Sequence, residues 1–231
     1  SGATPLPIAA RQLSALGFTG FEWAVGVPGS VGGAVRMNAG GHGADIATSL
    51  HSAYVVSLSS GCHGWVSVNE LGLRFRGSAL GNQHVVTWAK VVLEKSTPGC
   101  GDALITEIVK WRRDHQPGGQ NAGSVFINPN DGAISAGALI DQAGLRGYRL
   151  GTACVSEKHA NFIQSDAGGT SADVVKLMNM VQQQVLRLTG VNLRSEIRLL
   201  GFAPGEALAI DAENSLDSEK LEAHLCSKNP K

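Results

Sequence analysis

The 231 residues suffice for one large domain or two ordinary ones with a substantial core. Hydrophobic residues at 43% and charged residues at 16% exclude a disordered chain, and 19 basic residues against 19 acidic ones exclude a binder of nucleic acid or membrane surface by bulk charge. Glycine is the outlier, with 30 residues where average usage gives about half as many.

In chain order, "PLPIAARQLSALGFTG" predicts a helix with Ile8, Ala9, Leu13 and Leu16 on one face and Gly17 at its end. The glycine-rich stretch "GVPGSVGGAVRMNAGGHG" (26–43) follows. Such a loop exposes backbone N–H groups and can approach a phosphate or a flat ring, although tight turns without a ligand remain the alternative. It closes with no G-K-[ST] and does not match G-x-G-x-x-G. Arg36 is its one charged residue, and a buried arginine is costly without an anionic partner.

Strand-prone segments come next at "SAYVVSLS", "GWVSV" and "HVVTWAKVVLE", with "STPGCGD" (96–102) as a linker. Asp102 opens a helix that Pro117 stops, and Arg112 and Arg113 suit its C-terminal dipole. A short helix is expected from Ser135 to Gly144. A long one follows Thr170, with Val174, Leu177, Met178, Val181, Val185 and Leu188 at helical spacing, a capping box of Thr170 with Asp173, and a stop at Gly190. "VNLRSEIRLLG" alternates as a strand would, with Glu196 between Arg194 and Arg198 in what reads as a surface charge ladder. Ser124, in "NAGSVFINP", reads alone as a turn or strand-edge hydroxyl, because no G-x-S-x-G elbow surrounds it. The acidic tail from Pro204 has no strong pattern and is expected to be frayed or loosely helical.

Cys62, Cys100, Cys154 and Cys226 form no C-x-x-C pair, which predicts free thiols in a reducing compartment and no metal site. No apolar run reaches membrane-spanning length and no signal peptide opens the chain.

Four segments in order resemble one family. "GFTGFEWAVGVPGSVGGAVRMNAGGHG", "NAGSVFINP", "GALIDQAGLRGYRLGTACVSEKHANFI" and "LRSEIRLLG" are similar to the motifs of UDP-N-acetylenolpyruvoylglucosamine reductase, over about residues 3–203. The resemblance implies an α+β fold: part of a two-subdomain FAD-binding fold (1–98), an α/β substrate-binding domain (99–203), then a polar tail (204–231). It implies a cytoplasmic, monomeric flavoenzyme of peptidoglycan synthesis, with no nucleic-acid or membrane partner. Hydride passes from NADPH to FAD and on to the enolpyruvyl double bond of UDP-N-acetylglucosamine enolpyruvate, giving UDP-N-acetylmuramate.

Position by position, the resemblance makes Ser124 the proton donor and Arg36 and Glu196 the other catalytic residues. Hydride delivery leaves negative charge beside a carboxylate; a permanent cation such as Arg36 meets it, and Glu196 helps only as a protonated acid. A serine hydroxyl is a feeble acid, but the carbanion-like centre is a strong base. Pro28, Gly29, Ser30, Gly32, Gly33, Asn38, Gly40 and His42 match part of the FAD site. Asn128 matches a substrate contact, and Arg112 and Arg113 stand where cations near the diphosphate would help. His42 and Phe75 stand where tyrosine is common, and Ile127 where lysine is. The family's Gly-Gly-Gly-Ser-Asn loop is not in the sequence, which does not begin with Met, so the resemblance implies a chain without the first subdomain. The competing expectations are an inert fragment that binds UDP-sugar without flavin, and a flavoprotein of another kind sharing the FAD-binding architecture.

Overall fold

A computed structural model describes residues 1–202 and 215–228. Two compact units emerge, each mixing helices with antiparallel strands. The division falls after Arg112, inside a helix, and the C-terminal helix belongs to the first unit. The division was expected at 98/99, with residues 204–231 as a separate polar tail.

The first unit opens with α1 (Leu6–Ala15), which buries Leu6, Ala10 and Ser14 at successive i+4 steps. The face expected to be apolar turns partly outward: Ile8 is 47% exposed and Leu16 68%. Ser14 is buried because its hydroxyl bonds Asp102 Oδ1 (2.8 Å) and the Gly101 N–H (3.1 Å), tying α1 to the start of a later helix. Next come β1 (Phe18–Thr19), a 3₁₀ turn (Glu22–Gly26) and α2 (Val31–Met37), which Ser30 caps by accepting from Gly33 N at 3.2 Å. A tight hairpin of β2 (Gly40–Gly41) and β3 (Ala44–Asp45) leads through α3 (Ile46–Ser49) into β4 (Leu50–Ser57). With β5 (His63–Ser67) and β6 (His84–Val91), β4 forms an antiparallel sheet in the order β5-β4-β6. Then β7 (Glu94–Lys95) pairs with β1, and α4 (Asp102–His115) follows.

In the second unit, β8 (Gln120–Ser124), α5 (Ala136–Gln142), β9 (Arg149–Leu150), β10 (Ala153–Val155), β11 (Phe162–Ser165) and α6 (Ser171–Thr189) build a four-stranded sheet, ordered β8-β11-β10-β9, under two helices. Its core joins Val125, Phe126, Ile140 and Val155 to Leu177, Met178, Val181 and Val185 of α6. Thr170 caps α6 by accepting from Asp173 N (3.1 Å), but the Asp173 carboxylate turns to Thr152 instead of completing the box. Leu188, counted on the buried face, is 54% exposed. The strand expected over 191–201 is reduced to one bridge, Phe126 with Ser195.

α7 (Ser215–Lys228) packs on the first unit through Leu221 and Leu225, within the tail expected to be frayed or loosely helical. A disulfide joins Cys62 to Cys226, and only Cys100 and Cys154 are free. The expectation of four free thiols is thus corrected, and cysteine usage gives no argument for a reducing compartment. These two cysteines lie 164 residues apart in sequence, so spacing alone could not pair them. No described helix is long and apolar enough to cross a membrane, and no cluster of His, Cys, Asp and Glu among the described residues could hold a metal ion.

Candidate active site

Ser124 ends β8 opposite Phe162 of β11, after Gly123, whose φ of +82° is one that side chains other than glycine's rarely tolerate. Asn161 fixes the chain directly beyond. Its side chain accepts from Phe126 N (2.9 Å) and donates to Phe126 O (2.8 Å), while its own carbonyl accepts from Val125 N (2.9 Å). One side-chain amide thereby satisfies both the N–H and the C=O of a buried residue. On the other side, Glu196 N donates to Val125 O (2.8 Å) and Ile127 N to Arg194 O (2.9 Å). The Glu196 segment therefore runs alongside the residues just after Ser124, and the structure brings these two predicted residues onto adjacent backbone.

Asn128 is exposed, and its Oδ1 accepts from Ala136 N (3.0 Å) at the start of α5. His159 sits between the same helix and β11: Nδ1 accepts from Asn161 N (3.2 Å), and burial above all holds its pKa below the usual histidine range. A polar groove of about 490 Å³ in this unit is lined by Gly119, Gln120, Arg149, Cys154, Lys158 and Asp166, among others, but not by Ser124 or Glu196.

In the first unit, Arg36 occupies the last turn of α2. Its Nη1 donates to the Leu80 carbonyl (2.9 Å) and to that of Gly81, and its Nη2 to Asn82 Oδ1 (2.9 Å). Several residues matched to the FAD site prove to have packing work. A side chain on Gly32 would meet Val86 O at 2.8 Å, and one on Gly40 would meet Ala44 O at 2.7 Å. Asn38, buried in the left-handed conformation (φ 40°), donates to Asp45 Oδ2 (3.0 Å) and Arg74 O (3.2 Å) and accepts from Ala47 N (3.0 Å). Pro28, Gly29 and Gly33 stay exposed and Ser30 half-buried; the space beside Gly29, at φ +111°, is open.

His42 walls a cavity of about 410 Å³ with Trp23, Trp111, Glu22, Glu107 and Ile108, among others. Its ring meets Trp111 edge-on at 5.2 Å. Burial, and after it the charge of Arg112, lowers its pKa, which favours the neutral imidazole. Trp23 is 4% exposed, and its indole Nε1 has no hydrogen-bond partner among the described residues. Half-buried Arg112 packs on Gly26, where an added Cβ would lie 2.9 Å from its Cδ. Exposed Arg113 makes a loose pair with Asp114 (4.0 Å), and its carbonyl accepts from the Lys158 ammonium.

These observations define an α+β protein whose second unit holds a serine and a carboxylate on adjoining segments. A family model described as the C-terminal domain of UDP-N-acetylenolpyruvoylglucosamine reductase matches residues 115–200. The chain is 42% identical over 198 residues to the reductase of that name from Gloeobacter violaceus, across 83% of this chain and 65% of the relative. It is 41% identical over 202 residues to that from Nostoc sp., across 85% and 59%. The crystal structure of the reductase from Thermus caldophilus superposes with a TM-score of 0.76 at 32% identity, covering 85% of this chain and 70% of that one. The chain belongs to the UDP-N-acetylenolpyruvoylglucosamine reductase family. It spans 65% and 59% of the lengths of those two curated relatives.

Proposed function

We propose that the chain serves the reductase reaction its relatives are named for, converting UDP-N-acetylglucosamine enolpyruvate to UDP-N-acetylmuramate in peptidoglycan synthesis with FAD and NADPH. The observation that carries this reading is the junction of the Ser124 end of β8 with the Glu196 segment, inside the stretch that the family's C-terminal domain model matches. The first unit fits a flavin. Trp23 walls an aromatic-lined cavity and has a buried indole N–H without a partner among the described residues, and the backbone at Gly29 is open. Trp23, His42, Gly29 and Ser30 are the residues that would hold it. When bound, FAD supplies the hydride that it takes from NADPH.

The chain's own residues manage charge and proton. Reduction of the double bond puts negative charge beside a carboxylate, and Arg36, a permanent cation oriented by fixed acceptors, is assigned to stabilise it. Ser124 holds the proton that the carbon must receive, on a strand end that Asn161 keeps in place through the next two residues. Glu196, tied by its backbone to Val125, is the third residue.

Replacing Ser124 with alanine tests the reading. In the intact FAD-loaded protein, sugar-nucleotide affinity should change little while product formation falls by about 10²- to 10⁴-fold, the range typical of a lost proton donor. An unchanged rate rejects the assignment. Sugar-nucleotide binding without any NADPH oxidation by the unsubstituted protein would leave the inert-fragment alternative standing.

A further inference from the structure

Arg36 does not orient itself. The segment 78–82 grips it at both ends: Ser78 Oγ donates to the Arg36 carbonyl (2.7 Å), while Leu80, Gly81 and Asn82 accept from the guanidinium. That segment is steered in turn by His84. Its Nδ1 accepts from Gly81 N (2.9 Å), which leaves the ring proton on Nε2, and Nε2 donates to Glu222 Oε2 (2.8 Å). The His84 side chain is wholly buried, so few other orientations are open to it.

Glu222 belongs to α7, beyond the residues matched by the family model. Beside it, Gln83 Nε2 donates to Ser218 Oγ (3.0 Å), and a side chain on Gly81 would collide with that oxygen, so α7 closes directly on the loop. Leu221 and Leu225 seat the helix, and Cys226 ties it covalently to Cys62. A continuous chain of contacts thus runs from Glu222 through His84 and Gly81 to the Arg36 guanidinium.

We propose that Glu222 and His84 are positioning residues: through the Gly81 backbone they set the plane of the Arg36 guanidinium, making the C-terminal helix part of the reductase machinery. The proposal rests on the reading of Arg36 as the charge-stabilising cation. Neither residue need touch the substrate. An arginine that stabilises charge only in the transition state loses its effect when its donors are displaced, and the loss falls on kcat.

The test compares Glu222→Ala, Glu222→Gln and Arg36→Lys in the intact FAD-loaded protein, with the Gly81 amide exchange rate by NMR as a readout independent of turnover. The disulfide keeps α7 docked, so Glu222→Ala removes the acceptor and not the helix. Glu222→Ala should speed Gly81 exchange at least about tenfold and lower kcat about 10- to 100-fold, with KM for the sugar nucleotide shifted less than about threefold. Glu222→Gln retains an acceptor for His84 Nε2 and should restore both. Unchanged Gly81 exchange in Glu222→Ala overturns the linkage. Faster exchange with unchanged kcat, where Arg36→Lys lowers kcat, overturns the positioning role alone. Unchanged kcat in Arg36→Lys defeats the reading of Arg36 itself and the proposal with it.

Discussion

The surroundings of Ser124 and of Arg36 are secured by different means. Beyond Ser124, the backbone is locked by one side chain 35 positions away in sequence, and every partner is a main-chain group or an amide. Arg36 depends on a loop 44 to 46 positions away, and that loop depends on a histidine bonded to a glutamate a further 138 positions along. A backbone clamp tolerates changes in most side chains around it. A relay of side chains fails when any member is lost. The two regions should therefore respond differently to substitution, and that difference can be measured.

The largest effect should come from breaking the clamp. Asn161→Ala strips partners from the N–H and C=O of Phe126, buried just beyond β8, and each orphaned group costs about 1–3 kcal/mol. We expect the second unit to melt earlier while the first is unaffected, and turnover to fall about 100-fold as Ser124 moves. Differential scanning calorimetry separates the two transitions. Equal destabilisation of both units would show that Asn161 is not the local lock its bonds describe.

The complementary break is Cys226→Ser. The disulfide closes a loop of 164 residues, and bridges of that kind typically contribute about 2–4 kcal/mol, chiefly by restricting the unfolded chain. The loss should fall on the first unit. Treating the unsubstituted protein with reductant should lower the same transition and leave that of Cys226→Ser unchanged. If reductant shifts both proteins equally, the bridge is not what it acts on.

These partners also mark how far sequence reasoning reached. The helices α4, α5 and α6 and the strands β4 to β6 were legible because periodicity and capping are local signals: Asp102, Ser135 and Thr170 all stand where the helices begin. Ser124 and Glu196 were singled out by resemblance to a family and not by any local pattern, whereas Arg36 also stood out as the one charge in the glycine-rich stretch. Asn161 lay within a family-like segment, yet nothing near it in sequence reveals an amide that reads another strand's backbone. His84 and Glu222 gave no signal, since a histidine opening a strand and a glutamate in an acidic tail are ordinary until α7 is seen to dock. The glycines were legible as a group but not individually. Gly32 and Gly40 are required by close backbone packing, whereas Gly29 faces open space, and composition cannot separate those cases.

The smallest effect bears on how α7 is held at its far end. Glu70 accepts from Ser67 Oγ (2.6 Å) and Ser67 N (2.9 Å), and pairs with His224 (2.8 Å) and Lys228 (3.4 Å) of α7. The Ser67 bonds, chiefly, pull its pKa down to about 2, with His224 and Lys228 adding to the effect. A carboxylate whose folded pKa is depressed contributes stability that is present above its unfolded value and lost as pH falls through the folded one. Glu70 should therefore help hold α7 above about pH 4.5 and release that contribution progressively towards pH 2. Because the group is largely solvated, the effect is small. Glu70→Gln should melt slightly below the unsubstituted protein at pH 6, and the gap should close as the pH approaches 2. A gap that stays constant with pH would mean that Glu70 acts through the shape of its hydrogen bonds and not its charge. The Cys226 bridge would then be the main anchor at this end of the helix.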